Sequence, residues 1–212
     1  MLYEIMTYHI APGSLPEVEK RFGEAYEGRK KYSELAAFWH TEIGPLNQII
    51  HVWGYKDLAE RDKIRAAALK DGVWPPKIAE FIMSQTSDIL VPFSFAPEIK
   101  PGKVGPYFEM RTYTYKGGEL PVLQKCWEAA LPHRLKLGPI VTCGSTDLGA
   151  LSKFIHIWPY KSLDERTRIR DEAGKTGNWP PAALAKKTGG RGYNMHFQEN
   201  KIVMPSAFSP LQ

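Results

Sequence analysis

Two histidines occupy the same place in a repeated pattern: His51 heads His51-Val52-Trp53-Gly54-Tyr55-Lys56, and His156 heads His156-Ile157-Trp158-Pro159-Tyr160-Lys161. An imidazole there can be a general base, a haem ligand or a hydrogen-bonded structural group. His51 and His156 are therefore the candidates for proton transfer. Strand alternation sets each on the same face as an indole and a phenol. Trp53, Tyr55, Trp158 and Tyr160 can wall a pocket for a flat apolar ligand or simply fill a core. By the same alternation Glu4, Met6 and Tyr8 share a face, as do Glu109, Arg111 and Tyr113. This more polar face is expected to look into an enclosed interior, where the carboxylates, guanidinium and phenols either orient a ligand or form a satisfied network. Glu60-Arg61-x-x-x-Arg65, repeated as Glu165-Arg166-x-x-x-Arg170, puts two guanidiniums on one helical face, suited to clamping an anion or pairing with carboxylates.

Other chemistries lack their motifs: there is no Gly-x-Ser-x-Gly elbow, no His-Glu-x-x-His helix, no Walker loop and no cysteine-histidine cluster. Cys126 and Cys143 lack metal-type spacing and read as small reduced hydrophobes. The formal charge of +5 is spread out, and the runs Arg29-Lys30-Lys31 and Lys186-Lys187 sit at predicted helix ends, where cations complement the dipole. Nucleic acid is not an expected partner. Apolar runs fall well short of the roughly 20 residues a spanning helix needs, so no membrane span is expected. The first residues, Met1-Leu2-Tyr3-Glu4-Ile5, enter a strand pattern directly, and the expected location is cytoplasmic.

The elements that position these residues come in two copies. Glu4, Thr7, Tyr8, Gly13, Leu15 and Pro16 match Glu109, Thr112, Tyr113, Gly118, Leu120 and Pro121 at a constant offset (109 − 4 = 105). The same register carries Gly72-Val73-Trp74-Pro75-Pro76 onto Gly177-Asn178-Trp179-Pro180-Pro181. Near the end the offset becomes 113, so that Pro92, Phe95 and Pro97 answer Pro205, Phe208 and Pro210. The difference is an insertion near 186–193 in the second copy, centred on Gly189-Gly190-Arg191-Gly192. It reads as a mobile surface loop rather than a phosphate cradle. The copies are assigned to 1–98 and 107–212, with a proline- and glycine-rich linker over 99–106.

Within one copy, residues 2–10 alternate as a strand. A helix over 15–31 follows, with Ser14 as N-cap and an apolar stripe of Leu15, Val18, Phe22 and Tyr26. Strands over 35–43 and 48–55 form a hairpin through Gly44-Pro45-Leu46-Asn47. Asp57 caps a second helix with Leu58, Ile64 and Ala68 inward. A short helix over 77–84 and a strand over 87–95 complete the order β-α-β-β-α-β, which is ferredoxin-like. Each sheet has one face bare of helices, and closing the two bare faces on each other gives an eight-stranded α/β barrel inside one chain.

The stretch Thr41-Glu42-Ile43-Gly44-Pro45-Leu46-Asn47-Gln48, continuing to His51-Val52-Trp53 and on to Arg61 and Arg65, resembles the most distinctive motif of the NIPSNAP family. Tyr3-Glu4-Ile5 through Tyr8 is similar to the family's opening Glu-x-Arg-x-Tyr pattern. The resemblance covers both copies and implies a dimeric α/β-barrel fold, here with two tandem modules. Met6 stands where the pattern has arginine, which the second copy keeps as Arg111. Conversely, Thr146-Asp147-Leu148-Gly149-Ala150-Leu151-Ser152 loses the equivalents of Pro45 and Asn47. The resemblance thus suggests a composite site in a shared lumen, combining Arg111 with Glu42 and Asn47.

Two functional readings stand. In the first, the barrel binds a small apolar or aromatic molecule, as a cofactor-free oxygenase or isomerase, with Glu4, Glu109 and Arg111 orienting it; no cofactor is expected, although a haem on the histidines stays open. In the second, the protein is a non-catalytic interaction or assembly module, a homo-oligomer whose exposed Trp74-Pro75-Pro76 and Trp179-Pro180-Pro181 turns and arginine helices make contacts.

Overall fold

The computed structural model describes all residues, 1–212. The first module runs β1 (Leu2–Ile10), α1 (Leu15–Arg29), β2 (Leu35–Ile43), β3 (Gln48–Tyr55), α2 (Leu58–Lys70) and β4 (Ile82–Pro92). The second runs β5 (Tyr107–Tyr115), α3 (Leu120–Leu135), β6 (Thr142–Leu148), β7 (Lys153–Tyr160), α4 (Leu163–Lys175), α5 (Pro181–Lys187) and β8 (Met195–Pro205). Every pairing is antiparallel, and the strands close a ring in the order β1-β3-β2-β8-β5-β7-β6-β4. The two seams between modules are formed by the last strand of each, β4 on β6 and β8 on β2. Closure removes the unpaired edges that two separate sheets would carry.

The lumen is plugged by apolar side chains that include Ile5, Trp39, Ile50, Leu90, Phe108 and Ile157. Trp39 and Gly144 hold the same repeat position (144 − 39 = 105). The indole fills space on one side, while across the ring a Cβ on Gly144 would stand 2.2 Å from the Val91 carbonyl oxygen. Bulk on one side is matched by close strand approach on the other.

The structure corrects the facing of β1 and β5. Tyr3 and Ile5 point inward, whereas Glu4, Met6 and Tyr8 lie beneath the helices, and the second copy does likewise. A carboxylate in the apolar lumen would lose its hydration without a partner. Beneath the helices Glu4 meets Arg61 and Arg65, and Glu109 meets Arg111 and Arg166.

Smaller expectations change too. The segment after Pro76 makes only a single 3-10 turn over Ala79–Phe81, and β4 already begins at Ile82 because the edge of β1 takes it as a partner through Ile10. Ser14 does not cap α1; its hydroxyl donates back to the Ala11 carbonyl at 2.6 Å. Asp57 does cap α2, accepting from the Glu60 amide at 2.8 Å, and Ser162 repeats this on α4. Along α2 Ala68 is buried and Ile64 packs on the core as expected, but Leu58 is exposed, and Arg61 and Arg65 reach in to Glu4. No helix is long and apolar enough to cross a membrane.

Candidate functional site

Between the sheet and the helices of the second module lies a pocket of about 400 Å³. Its floor is β5 and β7, which present Arg111, Tyr113, His156, Trp158 and Tyr160. Alternation aims these side chains at the helices because the intervening residues Met110, Ile155 and Ile157 fill the lumen. Walls come from Trp127 and Arg134 on α3, Arg170 on α4, the Trp179-Pro180-Pro181 turn and Tyr193 beyond α5.

The polar groups form an ordered network. Glu109 is fully buried and accepts from Arg111 at 2.7 Å, Arg166 at 2.5 Å and Asn200 at 3.2 Å. Burial alone would raise its carboxyl, but the hydrogen bond from Arg166 and the charges of Arg111, Arg166 and Arg170 outweigh that and hold it below the usual value. Arg111 also donates to the Tyr113 hydroxyl at 2.5 Å, and its guanidinium carbon lies 5.2 Å from that ring. Arg134 is buried, stacked 4.3 Å over Trp158 and bonded to the Tyr160 hydroxyl at 3.2 Å. Burial lowers its pKa, with Tyr160 opposing.

His156 is nearly fully buried against Trp127, Tyr113 and Phe154. Its Nδ1 lies 2.6 Å from the Trp158 indole nitrogen. An indole N–H only donates, so Nδ1 must accept and the proton sits on Nε2, which has no partner within the protein. Burial, then the charges of Arg111, Arg170 and Arg134, push His156 well below the ordinary histidine value. It is a neutral donor through Nε2–H. His51 repeats the arrangement with Trp53 at 2.7 Å, and burial followed by Arg65 pushes it down to about 3.

In the first module the corresponding space is filled largely by apolar side chains, with Arg65 at the Met6 sulfur. Met6 replaces Arg111 and Phe22 replaces Trp127, and with Trp74, Ile78, Phe81 and Phe208 they join the cluster around Tyr8 and Trp53. The Tyr8 hydroxyl is left to the Met6 sulfur at 3.9 Å. The Arg29 guanidinium lies over Trp53 at 4.6 Å and reaches the Tyr55 hydroxyl at 3.3 Å. Arg29 lies in the last turn of α1 as expected, and it is also buried, as is Arg134 at the same repeat position (134 − 29 = 105). That offset was the signal that could have revealed both.

The structure does not bring Glu42 and Asn47 to Arg111. Both are exposed, Glu42 near the end of β2 and Asn47 on the turn after it, while Arg111 faces the helices of the other module. Asn47 has a positive φ of 55°, and its carbonyl accepts from the Ile10 amide at 2.8 Å. Asparagine is among the few residues that tolerate this conformation. Trp74 and Trp179 also depart from expectation: they tuck inward against Trp53 and Trp127, at 5.5 and 5.1 Å, instead of standing out for a partner. The inserted loop is tied down, with Arg191 paired to Glu119 at 3.1 Å. Cys126 and Cys143 are both free and buried. No three histidine, cysteine or carboxylate side chains converge as a metal ion needs.

The NIPSNAP family model matches residues 3–97 and 108–210. The human protein NipSnap homolog 3A is 28% identical over 220 residues, spanning 100% of this chain and 86% of the relative. A Dictyostelium discoideum NipSnap homolog is 30% identical over 208 residues, spanning 96% of this chain and 87% of the relative. Among solved structures, a candidate monooxygenase from Lactobacillus acidophilus superimposes with a TM-score of 0.64 at 11% identity, over 96% of this chain and 92% of that one. At that identity the likeness is one of fold.

Proposed function

This chain belongs to the NIPSNAP family, and from that premise we propose that its second module binds a planar aromatic molecule carrying an acidic oxygen in the pocket between β5, β7 and the helices. The observation that supports this most is the difference between the copies. Arg111 lines an open pocket in one, and Met6 lies in a packed apolar cluster in the other. Three indoles offer flat apolar walls, and Arg111, Arg170, Tyr113 and the Nε2–H of His156 offer donors. Such a set favours an oxyanion over a neutral ring.

As chemistry, the same donors would stabilise a phenolate or enolate, the reactive form of a substrate in a cofactor-free oxygenase or isomerase. His156 contributes as a hydrogen-bond donor there, because its one free nitrogen already holds the proton.

Fluorescence titration with 1-hydroxy-2-naphthoate tests the reading. Saturable binding is expected for the acid and not for its methyl ester. Arg111→Met should weaken it about 10- to 100-fold, the range for losing a hydrogen bond to a charged group. Equal affinity in wild type and Arg111→Met, or equal affinity for acid and ester, would refute it.

A further inference from the structure

The family-like motif at the β2–β3 turn has no part in the pocket described above, and it rims a second cavity. At the barrel end that carries the β2–β3 and β6–β7 turns, the lumen opens above its apolar plug into a cup of about 440 Å³. Ile5, Met110 and Ile155 form its floor. Gln48, Lys201, Lys153 and Asp88 stand around it, with the hydroxyls of Thr7, Thr86 and Thr112. These face the lumen, opposite to Arg111, so the two cavities lie on different sides of the sheet.

Duplication makes the charge arrangement readable. Lys153 and Gln48 hold one repeat position (153 − 48 = 105), and Lys201 and Asp88 hold another (201 − 88 = 113). Lys153 pairs with both Asp88 oxygens at 2.9 Å. The symmetry-related contact is Lys201 on the Gln48 side-chain oxygen at 2.8 Å. One half of the cup therefore holds a neutralised lysine, and the other holds a half-buried lysine bonded only to a neutral amide. Glu199 and His9 lie at the rim, and neither makes an ion pair with Lys201.

Gln48 is fixed for this role. It is almost fully buried, its amide nitrogen meets His9 Nε2 at 2.6 Å, and its oxygen also accepts from Thr41 at 3.4 Å. The turn ahead of it, with Gly44 and Asn47 both at positive φ, delivers it into the strand at the lumen wall.

The geometry points to a second binding site: the cup takes a small hydroxy- or oxo-carboxylate, its carboxylate on Lys201 and its remaining oxygens on Gln48 and the threonines. The bonded amide leaves Lys201 without a direct ion pair, and burial holds its ammonium below the ordinary lysine value against the more distant charges of Glu199 and Asp88. An incoming carboxylate supplies what Asp88 supplies to Lys153.

Isothermal titration and ligand-observed NMR with L-malate and L-lactate test this, with a thermal melt to confirm that each variant folds. Wild type should bind L-malate saturably. Gln48→Glu, which gives Lys201 its own carboxylate, and Lys201→Gln, which removes the cation, should each weaken binding at least about tenfold, as loss of a charge-assisted contact does. Asp88→Asn frees Lys153 and should tighten it about fivefold by the same reasoning. Arg111→Met should leave L-malate binding unchanged, which separates this site from the aromatic pocket. Absence of saturable binding to wild type, unchanged affinity in Gln48→Glu or Lys201→Gln, unchanged or weaker affinity in Asp88→Asn, or a loss in Arg111→Met would each overturn the assignment.

Discussion

Mild acid is expected to destabilise this protein through its two buried histidines, in a pH window where its carboxylates contribute little. His51 faces Tyr8, Phe22 and Phe38, and burial followed by the charge of Arg65 pushes it down to about 3. His156 faces Tyr113, Trp127 and Phe154, with Arg111, Arg170 and Arg134 around it, and is also strongly depressed. In the unfolded chain each titrates near 6.5, so below that value the unfolded state binds protons that the folded state refuses. The stabilisation is complete above about pH 6.5 and is lost progressively as pH falls toward the folded-state value. At about 1.4 kcal/mol per pH unit, His51 alone costs about 2 kcal/mol by pH 5, and His156 adds a loss in the same direction. For a chain of this size the His51 share is a fall in Tm of roughly 4–8 °C between pH 7 and pH 5, which His156 deepens. Differential scanning calorimetry across that range measures it. The double variant His51→Asn, His156→Asn keeps an acceptor for each indole and removes the titrating ring, so its Tm should change far less. A wild-type Tm that is flat over the window, or a variant that keeps the wild-type slope, would refute the reasoning.

Two further expectations concern the scaffold. Gly144→Ala places a Cβ 2.2 Å from the Val91 oxygen and 2.7 Å from the Pro92 Cα, both backbone atoms that cannot swing aside. It should cost about 1–3 kcal/mol, read as a lower Tm; an unchanged melt would mean that β4 and β6 are further apart than described. Asn47→Ala should lose about 1 kcal/mol in urea unfolding while Asn47→Gly stays near wild type, because the position has a φ of 55°. Equal losses would assign Asn47 a side-chain role instead.

Much of the architecture was legible before any coordinates. The strands over 2–10, 35–43 and 48–55 fall where alternation placed them, and the repeat register foretold the ring of two modules. The facing of β1 was not legible, because alternation separates two faces without saying which is inward. Both faces of β1 are buried, one under helices and one in the lumen, so polarity misled: Glu4 found its arginines on α2. The insertion was equally opaque. Its glycines suggested a free tip, yet Arg191 binds Glu119 and Tyr193 enters the pocket. The tail was a third gap: Phe208 returns to pack 4.8 Å from Phe38 of the first module, a contact between residues that no local pattern connects.

Duplication also changes which residues deserve a functional role. The histidine-to-indole bond, the arginine stacked on tryptophan and bonded to tyrosine, and the glutamate held by helix arginines occur in both modules. In the first module they support an apolar cluster in which Met6 stands where the second module has Arg111. A feature maintained there is accounted for by its contribution to helix-on-sheet packing, so recurrence of His51 and His156 is an argument for structure. The features that distinguish the second module are Arg111 in place of Met6, Trp127 in place of Phe22, and the inserted segment carrying Tyr193. Each lines the open pocket, and the first two are places where a repeated fold tolerated divergence in the chemistry of a side chain without loss of its packing role. In the cup the same logic applies in reverse: the ion pair Lys153–Asp88 closes one half, and its replacement by Lys201–Gln48 leaves the other half with a charge to satisfy. Asymmetry between copies, more than recurrence, is where this chain's binding chemistry should be sought.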